Sequence, residues 1–311
     1  MANLVENFAA YSVTGLVQGA IYALIALGYT LVYGVLRLIN FAHSEVFMVG
    51  TFASLWVLGA LGPAATGSTL AVIGALLLAG LAAMAGSGVT ALVVERIAYR
   101  PLRRRNAPVL VFLISAIGAS IAISELFGVV LGRDISSIPQ LIKPEAVFHL
   151  GDTRVDNRQI LIIAAAVVMM VVLDQFIART RLGRGVRAVA QDPDSAALMG
   201  VNQDRVIALT FLLGGLMAGG AALLYGQQFG VTRFNVGFLL GIKAFTAAVL
   251  GGIGNLRGAL LGGLVLGLAE NYGSAIIGSQ WRDVVAFVLL IVILMFRPTG
   301  ILGESLGKAR V

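Results

Sequence analysis

Asn40, His43, Ser44 and Glu45 fall within six residues of one another in LINFAHSEVFM (38–48), a stretch embedded in apolar sequence. An amide, an imidazole, a hydroxyl and a carboxylate so close together offer donors, acceptors and one ionisable acid to a polar solute. A charged side chain at mid-bilayer costs at least ~2.5–3.5 kcal/mol, so it persists only in a loop, a cavity or a pair. Two readings stand side by side: a broken helix lining a solute path, or an ordinary wet connector between two helices. His43 and Glu45 are too close in sequence, with no third ligand, to argue for a metal site.

A second polar interruption, RFNVG (233–237) with Asn235 at its centre, precedes the short apolar stretch 237–250. Lys243 lies inside that stretch, where it can snorkel to the interface, pair with an acid or face a pathway. Glu125, Asp174 and Glu270 sit near the ends of apolar stretches and read as interfacial residues or halves of ion pairs. Two catalytic patterns are missing, GxxxxGK[ST] and HExxH, and the sequence has no cysteine. GGIGNLRG (251–258) fails the GxGxxG spacing and has no strand before it. The chain is not expected to be an enzyme, and no metal or cofactor is expected in it.

The elements that must position these residues are helices in lipid. Of 311 residues, 59% are hydrophobic and 12% charged, about half the ~25% charge of a soluble domain. The mean hydropathy is +0.94. A soluble globular enzyme, a disordered chain and a disulfide scaffold are all excluded. Apolar stretches run roughly 9–36, 46–61, 69–94, 109–131, 159–178, 206–225, 237–250, 259–270 and 283–296. The fold class is therefore an all-α polytopic membrane protein of about 8–9 transmembrane helices, some short or broken. MANLVENFAA lacks the marks of a removable signal peptide.

The net charge of +7 is concentrated, with five Arg between Arg96 and Arg105 and four between Arg179 and Arg187. The positive-inside rule makes those two loops cytoplasmic. Pro101 and Pro108 are expected to stop helices on either side of the first. Residues 132–158 carry four basic and four acidic side chains and read as an outside loop with a turn or hairpin around Gly151. Parity then puts 226–236 outside, the tail with Lys308 and Arg310 inside, and the N-terminus outside.

At 1.5 Å per residue, 46–61 and 237–250 reach only ~21–24 Å against a core of ~30 Å. Each follows a polar break, and the two lie 195 positions apart when Asn40 is laid on Asn235. Short, interrupted spans at corresponding places in two halves point to a transporter's central path. Few letters are shared after the two Asn, so duplication and coincidence both stay open. Glycines recur every four residues at 15/19, 215/219, 263/267 and in the triple Gly254, Gly258 and Gly262. Such stripes let helices approach closely in lipid, and the triple is the stronger seam, internal or between subunits. In the inside loop 179–205, Asp192, Asp194 and Ser195 around Pro193 mark a helix start. Ala196 to Met199 form one or two turns, closed by Gly200. This is either a knob for a partner's groove or a solvated connector.

Several stretches together resemble the LivH-type permease subunit of branched-chain amino acid ABC transporters. They are NFAHSE (40–45), GRGVRAVAQD (183–192) through LMGVN (198–202), GIKAFTAAVLGGIG (241–254) and RPTGIL (297–302). The family commonly has Gly where this chain has Ser44. The resemblance covers nearly the whole chain. It implies a single permease domain over 1–311 in a bacterial inner membrane. Its expected partners are a second homologous permease, two cytoplasmic ATPases that bind the ATP, and a periplasmic substrate-binding protein. It implies that the loop around 183–202 is the coupling helix, with Arg187, Gln191, Asp192, Asp194, Ala196 and Met199 docking the ATPase. Asn40, His43, Glu45, Asn235 and Lys243 are the expected path residues. The same architecture could carry urea or short-chain amides. A stand-alone transporter driven by an ion gradient through Glu45, Glu125 or Asp174 is the reading from another class.

Overall fold

The structure is a computed structural model that describes residues 7–62, 67–150, 153–297 and 299–303. Its helices are α1 (Phe8–Leu36), α2 (His43–Leu61), α3 (Thr69–Arg104), α4 (Val109–Leu131), α5 (Asn157–Arg179), α6 (Arg181–Gln191), α7 (Pro193–Leu198), α8 (Gln203–Phe229), α9 (Val236–Gly251), α10 (Leu256–Ile277) and α11 (Arg282–Phe296). Short strands are β1 (Ser136–Ser137), β2 (Ala146–Leu150), β3 (Thr153–Asp156) and β4 (Val231–Thr232). Among the described residues, eight helices, α11 counted with the turn before it, are long and apolar enough to cross a membrane, and α9 is shorter at 16 residues. Every apolar stretch of the sequence is a helix. Two helices outrun their apolar stretches furthest at the C-terminal end: α3 continues past Val94 to Arg104, and α10 continues past Glu270 to Ile277, where Glu270 and Asn271 are buried against other helices.

Helices α1, α2 and α8 are mostly buried, whereas α3, α4, α5 and α11 turn most of their length outward. Their outer faces carry Leu, Ile and Val, as an apolar solvent allows. Glycine sets the spacing of the inner helices. A Cβ on Gly19 would lie 2.6 Å from the Gly263 carbonyl of α10, and one on Gly219 would lie 2.4 Å from the Ala83 carbonyl of α3. The glycine pairs thus form the α1–α10 and α8–α3 seams. The triple is corrected. Gly258 and Gly262 do abut Gly251 and Ala247 of α9, but Gly254 lies before α10 in a turn that needs its φ of +100°.

Helix contacts pair off when α1–α4 are exchanged with α8–α11. α1 packs on α10 as α8 packs on α3, α2 on α3 as α9 on α10, and α2 on α8 as α9 on α1. The two breaks share a backbone. α1 ends at a left-handed Arg37 (φ 54°) and α8 at a left-handed Gly230 (φ 69°), each six residues before the next helix begins. His43 N–H donates to the Asn40 carbonyl (3.1 Å) and Val236 N–H to the Arg233 carbonyl (3.0 Å). Equivalent positions are therefore 193 apart (230 − 37), and Asn40 matches Arg233 rather than Asn235. α1 is the first spanning helix and α8 the sixth, so the two units run in opposite directions, an inverted repeat.

Connections sort onto two faces. β1 pairs with β4, joining 132–156 to 230–235. On the other face Asp204 pairs with Arg103 and Arg104, Arg257 pairs with Asp174 (3.0 Å), and Asn255 Nδ2 donates to the Leu302 carbonyl (2.9 Å). Both arginine-rich loops therefore share a face with the C-terminal segment. β2 and β3 form the expected hairpin; its Gly151, with Pro298, Lys308 and Arg310, lies outside the described residues. Pro101 does not stop a helix. A π-helical turn, Glu95–Tyr99, precedes it, and Arg100 N–H reaches back to the Glu95 carbonyl. The widened turn removes the i−4 pattern that proline would violate, so the helix runs on to Arg104.

Candidate functional site

The break after α1 carries its polar residues into the interior. Asn40, His43, Ser44 and Glu45 are each at most 4% exposed, which overturns the wet-connector reading. The His43 ring sits against Gly28, where a Cβ would lie 2.1 Å from Nε2, and edge-on to Tyr29 at 4.9 Å. Gly28 is eight residues before the end of α1, ~12 Å along the axis, so α2 starts well inside the bundle. Its first turn meets that of α9. A Cβ on Gly237 would lie 2.2 Å from the Ser44 carbonyl and 3.0 Å from Glu45 Oε2. Two helix N-termini, each carrying a partial positive charge, converge there.

Hydrogen bonding is lopsided. Glu45 Oε1 accepts from Ser44 (3.3 Å) and from Ser120 of α4 (3.2 Å), while Oε2 has no partner among the described residues. Asn40 Oδ1 accepts from the Tyr99 hydroxyl (3.2 Å), while Nδ2 has none. His43 Nε2 is likewise unpartnered. Buried polar atoms are normally paired. A donor, an acceptor and an imidazole nitrogen are thus left without partners, among the described residues, within one break.

The structure does not bring Asn235 and Lys243 to this cluster. Asn235 is exposed just before α9, and its side chain caps nothing. Lys243 Nζ takes the pairing option, 3.0 Å from Glu270 and 2.8 Å from Asp283. Glu270 also accepts from the Tyr22 hydroxyl (2.9 Å) and faces Arg282 at 3.4 Å. Every charge in that group has an opposite partner. Glu125 and Asp174 pair with Arg133 and Arg257.

The loop 179–205 is more helical than its arginines suggest. α6 buries Gly183, Val186 and Val189, a three-residue spacing that the intervening Arg residues conceal in the sequence. In α7, Asp192 caps with its side chain, accepting from Asp194 N–H (3.0 Å) and Ser195 N–H (3.3 Å). Gly200 (φ +83°) closes it, with Gly200 N–H on Ala197 O (2.9 Å) and Val201 N–H on Ala196 O (3.0 Å). Arg187, Gln191, Asp192, Asp194 and Met199 are exposed. Ala196 is corrected: it is buried, because it is the side chain that seats α7 on its own chain. Leu198, 88% exposed beside Met199 at 84%, was missed as part of the outward apolar tip.

The loop is tied to the break. Gln203 Nε2 donates to Pro193 O (2.7 Å), and Asp204 holds Arg103, which also reaches Glu95 (3.2 Å). Glu95 and Tyr99 share the π turn, and Tyr99 bonds Asn40. Ser120, Tyr99 and Gly237 could not be found from sequence, since their partners lie far away in the chain.

The family profile described as the permease component of the branched-chain amino acid transport system matches residues 11–294. The chain belongs to this family of permeases. The permease is 46% identical over 297 residues to the high-affinity branched-chain amino acid transport system permease protein BraD of Pseudomonas aeruginosa, covering 94% of each chain. It is 41% identical over 293 residues to the corresponding LivH protein of Escherichia coli, covering 93% of this chain and 94% of that one. A probable LivH of Methanocaldococcus jannaschii is 26% identical over 309 residues, covering 95% and 92%. With eight spanning-length helices among its described residues, the permease is a multi-pass membrane protein.

Proposed function

We propose that the permease forms the path for branched-chain amino acids in an ATP-driven importer, and that the break at 37–45 is its solute site. The unpaired atoms of Asn40, His43 and Glu45 carry this reading. The converging N-termini of α2 and α9 would receive the solute carboxylate, and the break's carbonyls, with Glu45, its ammonium. Tyr29, Tyr33, Ile39, Phe245, Ala248 and Ile253 line an apolar recess of only about 10 Å³ beside Tyr29, room for at most about one water. A branched side chain enters it only when α1 and α9 move apart.

In this reading the chain binds no cofactor. It pairs with a second homologous permease in the inner membrane, C-terminus in the cytoplasm, below a periplasmic substrate-binding protein. Two ATPases supply the ATP binding and hydrolysis, and one of them seats on the Leu198–Met199 tip of α7. The relatives' names support the substrate, and the exposed apolar tip supports the docking.

The test is uptake of radiolabelled leucine by the reconstituted complex. Glu45→Gln and Asn40→Ala should reduce uptake strongly while the ATPases still copurify. Unchanged uptake would remove the break as the site. Competition by urea or acetamide at the concentrations that block leucine would favour the amide reading. Uptake without ATPase subunits would favour an ion-coupled one.

A further inference from the structure

The five arginines of the first basic loop are more than the two nearby carboxylates need. Arg100 and Arg103 pair with Glu95 (3.3 and 3.2 Å), and Arg103 and Arg104 pair with Asp204. Arg96 and Arg105 form no ion pair among the described residues, and both are exposed. The local excess is therefore +3 (5 − 2). These guanidinium groups are not spread over the surface. Arg96, Arg100, Arg104 and Arg105, with Pro101, line one open recess of about 480 Å³ at the end of α3.

The surroundings choose the occupant. Arg96, Arg100 and Arg104 recur every four residues, and the positions next along the same helix are apolar and turned outward. Val89, Val93 and Ile97 form an exposed stripe, with Ile97 at 73%. Val109 and Leu110 open α4 beside it, also exposed. A free anion would neutralise the arginines but make no use of the adjoining apolar stripe. An acidic protein surface would do the same. A diacyl lipid meets both, with a phosphate among the guanidinium groups and acyl chains along Val93 and Ile97.

We propose that this recess is a site for an anionic phospholipid headgroup, held at its phosphate by Arg96 and Arg105 with Arg100 and Arg104 alongside. It does not depend on what the permease transports. Positive-inside topology explains why the loop is basic but not why its side chains converge on one recess above a lipid-facing stripe.

The test uses the purified full chain in a neutral detergent, titrated with phosphatidylglycerol, phosphatidylcholine or inorganic phosphate. Thermal unfolding and native mass spectrometry are the readouts. Phosphatidylglycerol should raise the unfolding midpoint and remain bound in the gas phase, and the other two should not. Arg96→Gln/Arg105→Gln removes two side chains that make no internal ion pair, so its midpoint without lipid should match the parent. Its phosphatidylglycerol affinity should fall about 30-fold, at the usual contribution of an interfacial arginine. Arg96→Lys/Arg105→Lys should recover part of it. Equal effects of the two lipids, or a full phosphatidylglycerol response in the glutamine variant, would overturn the site. A midpoint shift from phosphate alone would make it a free-anion site. Loss of ATPase copurification in the glutamine variant, with its lipid response intact, would make it a partner contact.

Discussion

The two helix breaks have one backbone and opposite chemistry. Both follow a left-handed cap, both close with an i to i+3 bond, and both launch a helix inward. The first leaves Asn40, His43 and Glu45 buried with unpaired atoms. The second exposes Asn235, and the buried charges of its half, Lys243 and Glu270, are paired with each other and with Asp283 and Arg282. Lys243 and Glu45 do not occupy equivalent positions; 193 before Lys243 is Gly50. The repeat therefore preserved a geometry while its halves divided the work. One half leaves buried polar atoms unpaired, and the other clamps α9, α10 and α11 together.

The sharpest way to break that contrast is to compare removal of charge in each half. Lys243→Met leaves Glu270 in a site with no exposure, and Arg282 at 3.4 Å compensates only partly. Losing one partner of a buried pair costs 3–5 kcal/mol in general, so about 3 kcal/mol is expected here. Glu45→Gln removes no ion pair and keeps an oxygen for Ser44 and Ser120, so its cost should stay within about 1 kcal/mol. Denaturant unfolding of both variants in one detergent measures the difference. Equal losses would mean that Glu45 is structural and the two halves are not divided in this way.

A smaller effect tests whether the two breaks are built against each other. Gly237→Ala places a Cβ 2.2 Å from the Ser44 carbonyl, a backbone atom that cannot rotate away. Overpacking of this kind costs about 2 kcal/mol. It should also lower leucine uptake, because it pushes the first turn of α9 off the Glu45 carboxylate. Gly118→Ala, with nothing within 4 Å of the added methyl, is the control that should change neither.

The unequal halves also account for what the sequence disclosed. Lipid demands long apolar runs, so every spanning helix was legible, and α10 was cut short only because Glu270 finds its cations in α9 and α11. The first break was visible as polar letters in apolar text. Whether Asn40 and Glu45 were wet or buried was not, since that depends on Tyr99, Ser120 and Gly237, brought from α3, α4 and α9. The repeat was visible as two short spans but misaligned by two residues, because what repeats is a backbone conformation and the Asn residues coincide by chance. Pro101 misled for a similar reason: a π turn has no signature in the residues that form it.

Asp192 offers the gentlest test, because it is a carboxylate in Glu45's local setting with the circumstances reversed. Glu45 lies in the first turn of α2, buried with one oxygen idle. Asp192 caps α7, exposed with both oxygens engaged by Ser195 and by the Asp194 and Ser195 amides. The Ser195 hydroxyl, with those amides, holds the Asp192 carboxyl below its ordinary range. A depressed folded value means that the cap's contribution is complete above the ordinary carboxylate pKa and is lost as pH falls through the lowered one. Protection of the Ala197–Val201 amides, corrected for intrinsic exchange, should thus be flat from neutral pH into the mildly acidic range and then decline. Asp192→Asn keeps a good cap without a titrating group, so its protection should show no such decline. If both proteins lose protection together, the acid sensitivity of α7 arises elsewhere, and charge at this helix start has no more consequence than at Asn202, where an uncharged side chain caps α8.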